Sequence, residues 1–480
     1  MPLYYNYLRE IKMDKYKKLL SNTAILGIGT FSSKLLVFLL LPLYTAYLTT
    51  AQYSTADIIT QSANLIMPLM ALGICDAVFR FTLDKDSDKK RVLTTGLYVT
   101  CAGFIIFALL FPLLNLIAYF DGYMWLILLY AFVANLHSLL AQYVRAKGMT
   151  AMFAFQGIVA TAITIGLNIL FLVVMGVGLL GYVLSVVIAD AAVSLFLIVV
   201  IRKDFTVNPR YFNKATAKLM LKYSIPLIPT TVFWWITNVS DRYMVKGFIG
   251  DDVNGLYAAA FKIPTMLILL SGIFIEAWQF SAVTEKDAET KKAHAVFFGT
   301  VFDSFQGMLF ICAAGLIAFS KLLSIILFAD SYYTAWQYMP LLIAATVFSS
   351  LVTFMGSVYL VDKKSVHSFV TAMIGALVNI AFNLILIPTP LGANGAALAT
   401  FLSYFVVFII RAVNTRKFIR FDLHTFKLTV NTAVIGIQTV FMIFELPMWI
   451  AVQVAGVAVI FILNARPILK GVMRILKRGK

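Results

Sequence analysis

Cysteine is nearly absent from this chain: three residues in 480, Cys75, Cys101 and Cys312, each in an apolar stretch and none in a CxxC pair. That excludes a disulfide framework and a thiolate metal site, and leaves the three thiols as packing residues. Charge is scarce as well. Only 13% of residues are Asp, Glu, Lys or Arg, against roughly 25% in soluble domains, while 61% are hydrophobic and mean hydropathy is +0.90. An integral membrane protein is expected, with no room between its spans for a sizeable soluble domain. Also missing are a phosphate-cradling Gly loop, an HExxH pair and a nucleophile elbow. No ATPase module is therefore expected, and energy is left to ion gradients or to the substrate itself. A coupling proton or sodium ion is the one cofactor the reading allows.

What is abundant is apolar sequence in span-length runs. They fall at 20–47, 54–79, 92–117, 123–144, 151–174, 178–201, 224–248, 255–283, 294–319, 335–360, 366–387, 393–412, 426–445 and 447–465, fourteen in all. The net charge of +17 sits in every second link: 80–91, 145–147, 202–222, 286–292, 363–364, 411–427 and the tail 466–480. The intervening links are poor in Lys and Arg and short, none longer than about a dozen residues. By the positive-inside rule both termini are expected in the cytoplasm, and the basic balance needs no nucleic-acid partner. The N-terminus, with Arg9, Lys12, Lys15, Lys17 and Lys18 and no signal-peptidase site, is expected to stay attached.

A repeat crosses the middle of the chain. Leu167 and Asn168 precede Gly178, Gly181 and a helix ending at Ile201 and Arg202; Phe382 and Asn383 precede Gly392, Gly395 and a helix ending at Ile410 and Arg411. Upstream, Tyr143 to Lys147 matches Tyr359 to Lys363. Six spans separate the copies, an even number, so the repeats run parallel rather than inverted. The expected fold is an all-α polytopic membrane protein of about fourteen transmembrane helices: two pseudo-symmetric six-helix lobes around a central cleft, plus two C-terminal helices. The expected boundaries are 1–210 for the first lobe, 211–424 for the second, and 425–480 for spans thirteen and fourteen with a basic tail.

One block is more specific. Tyr223, Ser224, Pro226 and Pro229, then Asn238, Asp241, Arg242 and Tyr243, then Phe248, Gly250, Gly255, Tyr257, Lys262 and Ile263, resemble the seventh and eighth helices of polysaccharide flippases. These belong to the multidrug/oligosaccharidyl-lipid/polysaccharide exporter superfamily, and the Wzx-type O-antigen and capsule flippases resemble the chain best. Leu48 to Tyr53, Arg145 to Gly148 and Asn383 to Gly395 extend the likeness over almost the whole chain. The resemblance implies a non-enzymatic transporter that moves an undecaprenyl-diphosphate-linked oligosaccharide across the bacterial cytoplasmic membrane by alternating access. Its partners would be that lipid-linked oligosaccharide, membrane lipids and the polysaccharide polymerase machinery.

Such a cargo has a sugar head that cannot cross hydrocarbon and an anionic diphosphate, so it requires a polar, cationic cleft. The substrate-binding candidates are the cations inside spans: Lys34, Arg242, Lys246 and Lys262. Lys34 leads, because a lone ammonium at the centre of a span costs about 2.5 to 3.5 kcal/mol on insertion scales. Arg242 and Lys246 share a helix face with Asp241 beside them, an arrangement that equally suits an internal ion pair. The repeat puts Lys34 and Asp241 at similar depths, where with Arg242 they would form a diphosphate site or a gate. Lys262 and Glu276 are fourteen residues apart, about four turns, and point the same way. Asp241, Glu276, Asp57 and Asp303 are the cleft acids or coupling candidates, although Asp57, Asp76, Asp190, Asp303 and Arg80 lie near span ends, where snorkelling is commoner. His137 could titrate near neutrality, although a lone histidine on a helix is more often a hydrogen-bonded scaffold residue. Trp234, Trp235 and Asn238 offer aromatic faces and an amide for sugar rings. Pro68 is expected to kink its span, and Pro226 and Pro229 to begin theirs.

Two rivals remain. A cation-coupled multidrug exporter of the same superfamily would favour an acidic, aromatic cavity without a cationic cluster. A membrane glycan polymerase is disfavoured by the short outward links.

Overall fold

The computed structural model describes the backbone of residues 38–84, 86–116, 118–120, 122–284, 291–361 and 364–478, and the side chains of all these but 118, 276, 277, 280–284, 291–294, 365 and 466–478. Among them there is no strand: with 61% hydrophobic residues the chain satisfies its backbone internally by forming helices. The first part runs α1 (Leu41–Tyr47), α2 (Thr50–Met70), α3 (Ile74–Thr82), α4 (Lys89–Leu109), α5 (Met124–Ala146), α6 (Thr150–Asn168), α7 (Leu179–Val200) and α8 (Lys214–Ser224). Next come α9 (Ile228–Phe248), α10 (Asp251–Ala260), α11 (Lys262–Thr284), α12 (Lys291–Ala318) and α13 (Ser320–Leu327). The chain closes with α14 (Met339–Val361), α15 (Ser365–Leu386), α16 (Ala393–Asn414), α17 (Thr425–Ile443) and α18 (Trp449–Arg478).

Ten described helices are long and apolar enough to cross a membrane, and the bent pair α2 and α3 makes an eleventh if its two parts are taken together as one broken span. The other three of the fourteen expected runs depart from that standard, each for its own reason. The first falls largely on residues outside the description. The seventh, α9, carries Asp241, Arg242 and Lys246 within 21 residues, and the apolar part of the fourteenth, Trp449–Ala465, is short.

The helices gather into two compact units, one built on Thr55–Thr231 and the other on Leu41–Ser54 with Val232–Lys480. The first unit has an aliphatic interior, in which Val78, Leu93, Leu139, Leu140 and Leu197 are fully buried. Its bent span shows how a broken helix survives in such surroundings. Pro68 lies in the last turn of α2, Leu72 and Gly73 take left-handed φ of 50° and 64°, and α3 leaves at 58°. Asn135 Nδ2 donates to Met67 O at 3.0 Å and Ser224 Oγ to Leu72 O at 2.7 Å, so side chains from α5 and α8 satisfy carbonyls at the break. Gly103 lets α4 pass this corner, since a Cβ there would stand 1.8 Å from Met70 O.

The second unit is packed on aromatic rings instead. Trp278 stacks on Phe354 at 4.9 Å and 9°, Phe305 on Phe354 at 5.5 Å, and Trp278 Nε1 donates to Ser357 Oγ at 2.8 Å. The Leu41–Ser54 segment is clasped here through side chains. Thr50 Oγ1 donates to Asp252 Oδ1 (2.5 Å), Ser54 Oγ to Asp251 Oδ1 (2.7 Å) and Tyr332 OH to Leu48 O (3.0 Å). The two C-terminal helices are zipped together by paired amides, Asn431 with Asn464 and Gln438 with Gln453, which is how polar groups join helices where hydrophobic contrast is absent. Asn464 also touches the face of α12 at Gly307, so α17 and α18 are packed into the second unit.

Candidate functional site

The polar heart of the second unit begins on α9. Residues 234, 238 and 241 recur every three to four positions, so their side chains share one face. Asn238 Nδ2 donates back to Trp234 O (2.7 Å), and Tyr404 OH donates to Asn238 Oδ1 (2.5 Å). Trp234 and Tyr404 lie nearly parallel, 13° apart with centroids 6.3 Å from each other. Asp241 is fully buried and accepts from Tyr257 OH (2.6 Å), Thr400 Oγ1 (3.3 Å) and the Arg242 amide (2.9 Å). Ser240, Asn379 and Thr400 continue the chain of hydrogen bonds, with Ser240 Oγ donating to Asn379 Oδ1 at 2.8 Å and Asn379 Nδ2 to Thr400 Oγ1 at 3.1 Å.

Directly along this face opens a cavity of about 610 Å³, lined by Trp234, Gln279, Thr353, Tyr359, Ser368 and Arg411 among others. Among the described residues its one cationic lining residue is Arg411, only 2% exposed. The guanidinium is held by neutral partners: Nε and Nη2 donate to Thr371 Oγ1 at 3.0 and 2.8 Å, and Nη1 donates to Val352 O at 2.8 Å. Two of the five N–H groups of a guanidinium are left over, and no carboxylate pairs with it among the described residues. Aromatic faces flank it, Trp234 at 5.3 Å and Tyr359 at 5.5 Å from the guanidinium carbon. Gly356 makes the room: a Cβ there would stand 2.7 Å from Nη1. A buried, unpaired cation between two aromatic rings, facing an empty volume, is arranged to receive an anion with an attached ring system.

The sequence-predicted residues fall variously around this centre. Trp234 lines the cavity, and Asn238 and Asp241 support it from one turn to two turns away. Trp235 turns to Tyr243 instead, with ring centroids 5.5 Å apart. Arg242 is buried with its guanidinium carbon 4.4 Å from the Phe261 ring, and Lys246 Nζ lies 3.2 Å from Asp251 Oδ1. Lys262 opens α11, where its carbonyl accepts from Thr265 Oγ1. Asp303 is ion-paired to Lys427 at 2.6 Å, and Asp57, in the first unit, is buried with Gln61 Nε2 at 3.4 Å from its carboxylate. Lys34 lies outside the described residues, as does the side chain of Glu276.

Arg411 is the residue that sequence reasoning missed. It reads as the first residue of a basic link, because it follows an apolar run and precedes Arg416, Lys417 and Arg420. The helix instead continues to Asn414 and carries Arg411 inward, a correction of the expected 411–427 link. The available signal was Ala412 and Val413 after it, apolar residues where a solvated link would be polar.

The sequence matches the family described as "Polysaccharide biosynthesis protein" over residues 19–278, more than half the chain. No curated protein matches it. Among solved structures, "Lipid II flippase MurJ, inward closed conformation" superposes with a TM-score of 0.65 at 15% identity, covering 94% of this chain and 100% of that one. A multidrug resistance MATE family transporter of the MOP superfamily superposes in its inward-facing conformation with a TM-score of 0.62 at 13% identity, over 83% of this chain and 95% of its own. Its outward-facing conformation gives 0.61 at 14%, over 84% and 95%. At such identities these are likenesses of fold.

Proposed function

The chain belongs to the polysaccharide biosynthesis protein family, and from that premise we propose that it is a flippase for an undecaprenyl-diphosphate-linked oligosaccharide, working by alternating access in the bacterial cytoplasmic membrane. The observation that carries this reading is Arg411. A guanidinium with unused donors, and with no carboxylate partner among the described residues, lines a 610 Å³ cavity beside Trp234 and Tyr359. Arg presents a planar fork that suits phosphate oxygens, and tryptophan and tyrosine rings suit the apolar faces of sugars. A drug exporter for cationic dyes would be expected to place a carboxylate where Arg411 stands.

In this reading Arg411 meets the diphosphate and Trp234 and Tyr359 the first sugar. Arg242 and Lys246 brace α9 against Phe261 and Asp251. The lipid tail stays in the bilayer. The test is a strain lacking the gene, complemented with the wild type, Arg411→Lys or Arg411→Ala at matched expression. Arg411→Ala should cut surface glycan at least about tenfold and accumulate lipid-linked precursor on the cytoplasmic face, with Arg411→Lys in between. Normal surface glycan in Arg411→Ala, together with dye sensitivity in the deletion strain, would replace this reading by drug export.

A further inference from the structure

A second polar cavity lies wholly within the first unit. It encloses about 310 Å³ and is lined by Asn64, Tyr130, His137, Gln142, Gln156 and Asp190 among others. His137, on α5, is held at both ring nitrogens: Nδ1 is 2.8 Å from Asp190 Oδ1 of α7, and Nε2 is 2.6 Å from Gln156 Oε1 of α6. Both partners are oxygens, so the ring as placed is fully satisfied when both nitrogens carry hydrogen. A half-turn of the Gln156 amide would bring its NH₂ to Nε2 and satisfy the neutral ring equally well.

We propose that His137, Asp190 and Gln156 form a proton-binding site, in which the ring gains and loses a proton at Nε2 and the Gln156 amide turns to follow it. In the charged state Nε2–H donates to Gln156 Oε1 and Nδ1–H to Asp190. On release the proton passes to water in the cavity, Nε2 becomes an acceptor, and the amide offers N–H in place of its oxygen. Asp190 accepts from Nδ1–H throughout. The cavity has room for several waters and polar walls to hold them.

The charged and titratable surroundings fit a single proton. Among the described residues, Asp190 is the one carboxylate lining the cavity and Tyr130, on the ring's own helix, the one phenol, and no Lys or Arg lines it. From α6 no titratable side chain comes at all. The α2 carboxylate, Asp57, lies about two turns from the lining Asn64 and within reach of Gln61. From α3 come Cys75, whose Sγ is 3.8 Å from Asn135 O, and Asp76, neither of which lines the cavity. On α4, Tyr98 OH bonds Val207 O and Arg91 pairs with Asp88, both away from the ring. Protonation therefore changes the charge of the part-buried cluster by one unit, a change of the kind a transport cycle can be tied to. The site rests on the first unit alone and stands whatever the cargo of the second.

The chain has only four histidines, His137, His294, His367 and His424, so ¹⁵N-histidine labelling of the full-length protein in lipid nanodiscs gives few ring signals to separate. His137 is the signal lost in His137→Gln, or, if that variant fails to fold, the one that survives removal of the other three. The expected result is passage between a doubly protonated pattern and an Nδ1–H neutral tautomer within about pH 5 to 9. Asp190→Asn should move the midpoint down by about one pH unit or more, and Gln156→Glu, a fixed acceptor, should move it up by a similar amount. A wild-type ring that keeps one pattern across the range overturns the site. An unchanged midpoint in both variants overturns the roles given to Asp190 and Gln156.

Discussion

The two units place their polar cavities at matching positions of the internal repeat and fill them with opposite chemistry. With Tyr143 set on Tyr359, His137 falls on Thr353 and Leu140 on Gly356; with Asn168 set on Asn383, Gln156 falls on Thr371. With Gly178 set on Gly392, Asp190 falls on Tyr404 and Leu197 on Arg411. Gln156 holds the His137 ring and Thr371 holds the Arg411 guanidinium, so one helix position steadies a nitrogen base in both units. The difference lies in a pair of volumes. Leu140 and Leu197 are fully buried in the aliphatic core of the first unit, whereas Gly356 and Arg411 replace them in the second. A missing side chain on one helix makes the space that a long one on its neighbour occupies, and a packing layer becomes a cation-lined cavity wall.

The sharpest way to break this comparison is to give the first unit the second unit's cation. Leu197→Arg puts a guanidinium against Leu140 with neither space nor acceptor, and should cost about 3 to 5 kcal/mol, seen as loss of folded protein in detergent thermal melts. Tolerance of that change would mean that Gly356 is not what admits Arg411. The backbone tests the likeness itself. Gly178 (φ 65°, ψ −136°) and Gly392 (φ 52°, ψ −126°) precede α7 and α16 in nearly the same conformation, one closed to L side chains. Gly178→Ala and Gly392→Ala should each destabilise by about 1 to 3 kcal/mol and by similar amounts. A large effect at one and none at the other would show that the repeats differ where they look alike.

Gly356→Ala tests the cation-lined wall without removing its charge. The new methyl group displaces Nη1, and glycan export should fall about tenfold, equivalent to about 1.4 kcal/mol, with smaller loss of thermal stability. The smallest effect belongs to the ion pair of Lys147 with Asp204, in the link after α7. Burial works to raise the Asp204 carboxyl, but the hydrogen bond and charge of Lys147 outweigh it and hold the group below its ordinary value. A lowered carboxylate stabilises above its unfolded value and loses that contribution as pH falls through the folded one. Lys147→Ala should therefore cost at most about 1 kcal/mol near neutral pH. Melts compared with wild type should converge as pH drops below the ordinary carboxylate range.

Much of the fold was legible because a bilayer leaves few options. Span-length apolar runs give helices, Pro68 marks the bent span, and the spacing from Asn168 to Gly181 and from Asn383 to Gly395 marks two helix starts that share a backbone conformation. The site was less legible. Asp241 and Lys246 stand out as charges in a span, yet they are spent on Tyr257, Thr400 and Asp251. Arg411 hides at the end of an apolar run, and nothing near it in sequence announces Gly356 or Thr371, 55 and 40 residues earlier. His137 likewise reads as a lone histidine until α6 and α7 bring Gln156 and Asp190 to its two nitrogens.

Hydropathy, the alternation of basic links and the doubled Asn-to-Gly pattern were enough to determine a helical membrane protein with an internal repeat, because lipid demands internally bonded backbone and local sequence supplies it. Which charges are satisfied and which are left facing a cavity was decided only in three dimensions. A partner for a buried cation or ring is a matter of which helix packs beside it, and that neighbour is set by the fold, tens of residues away along the chain.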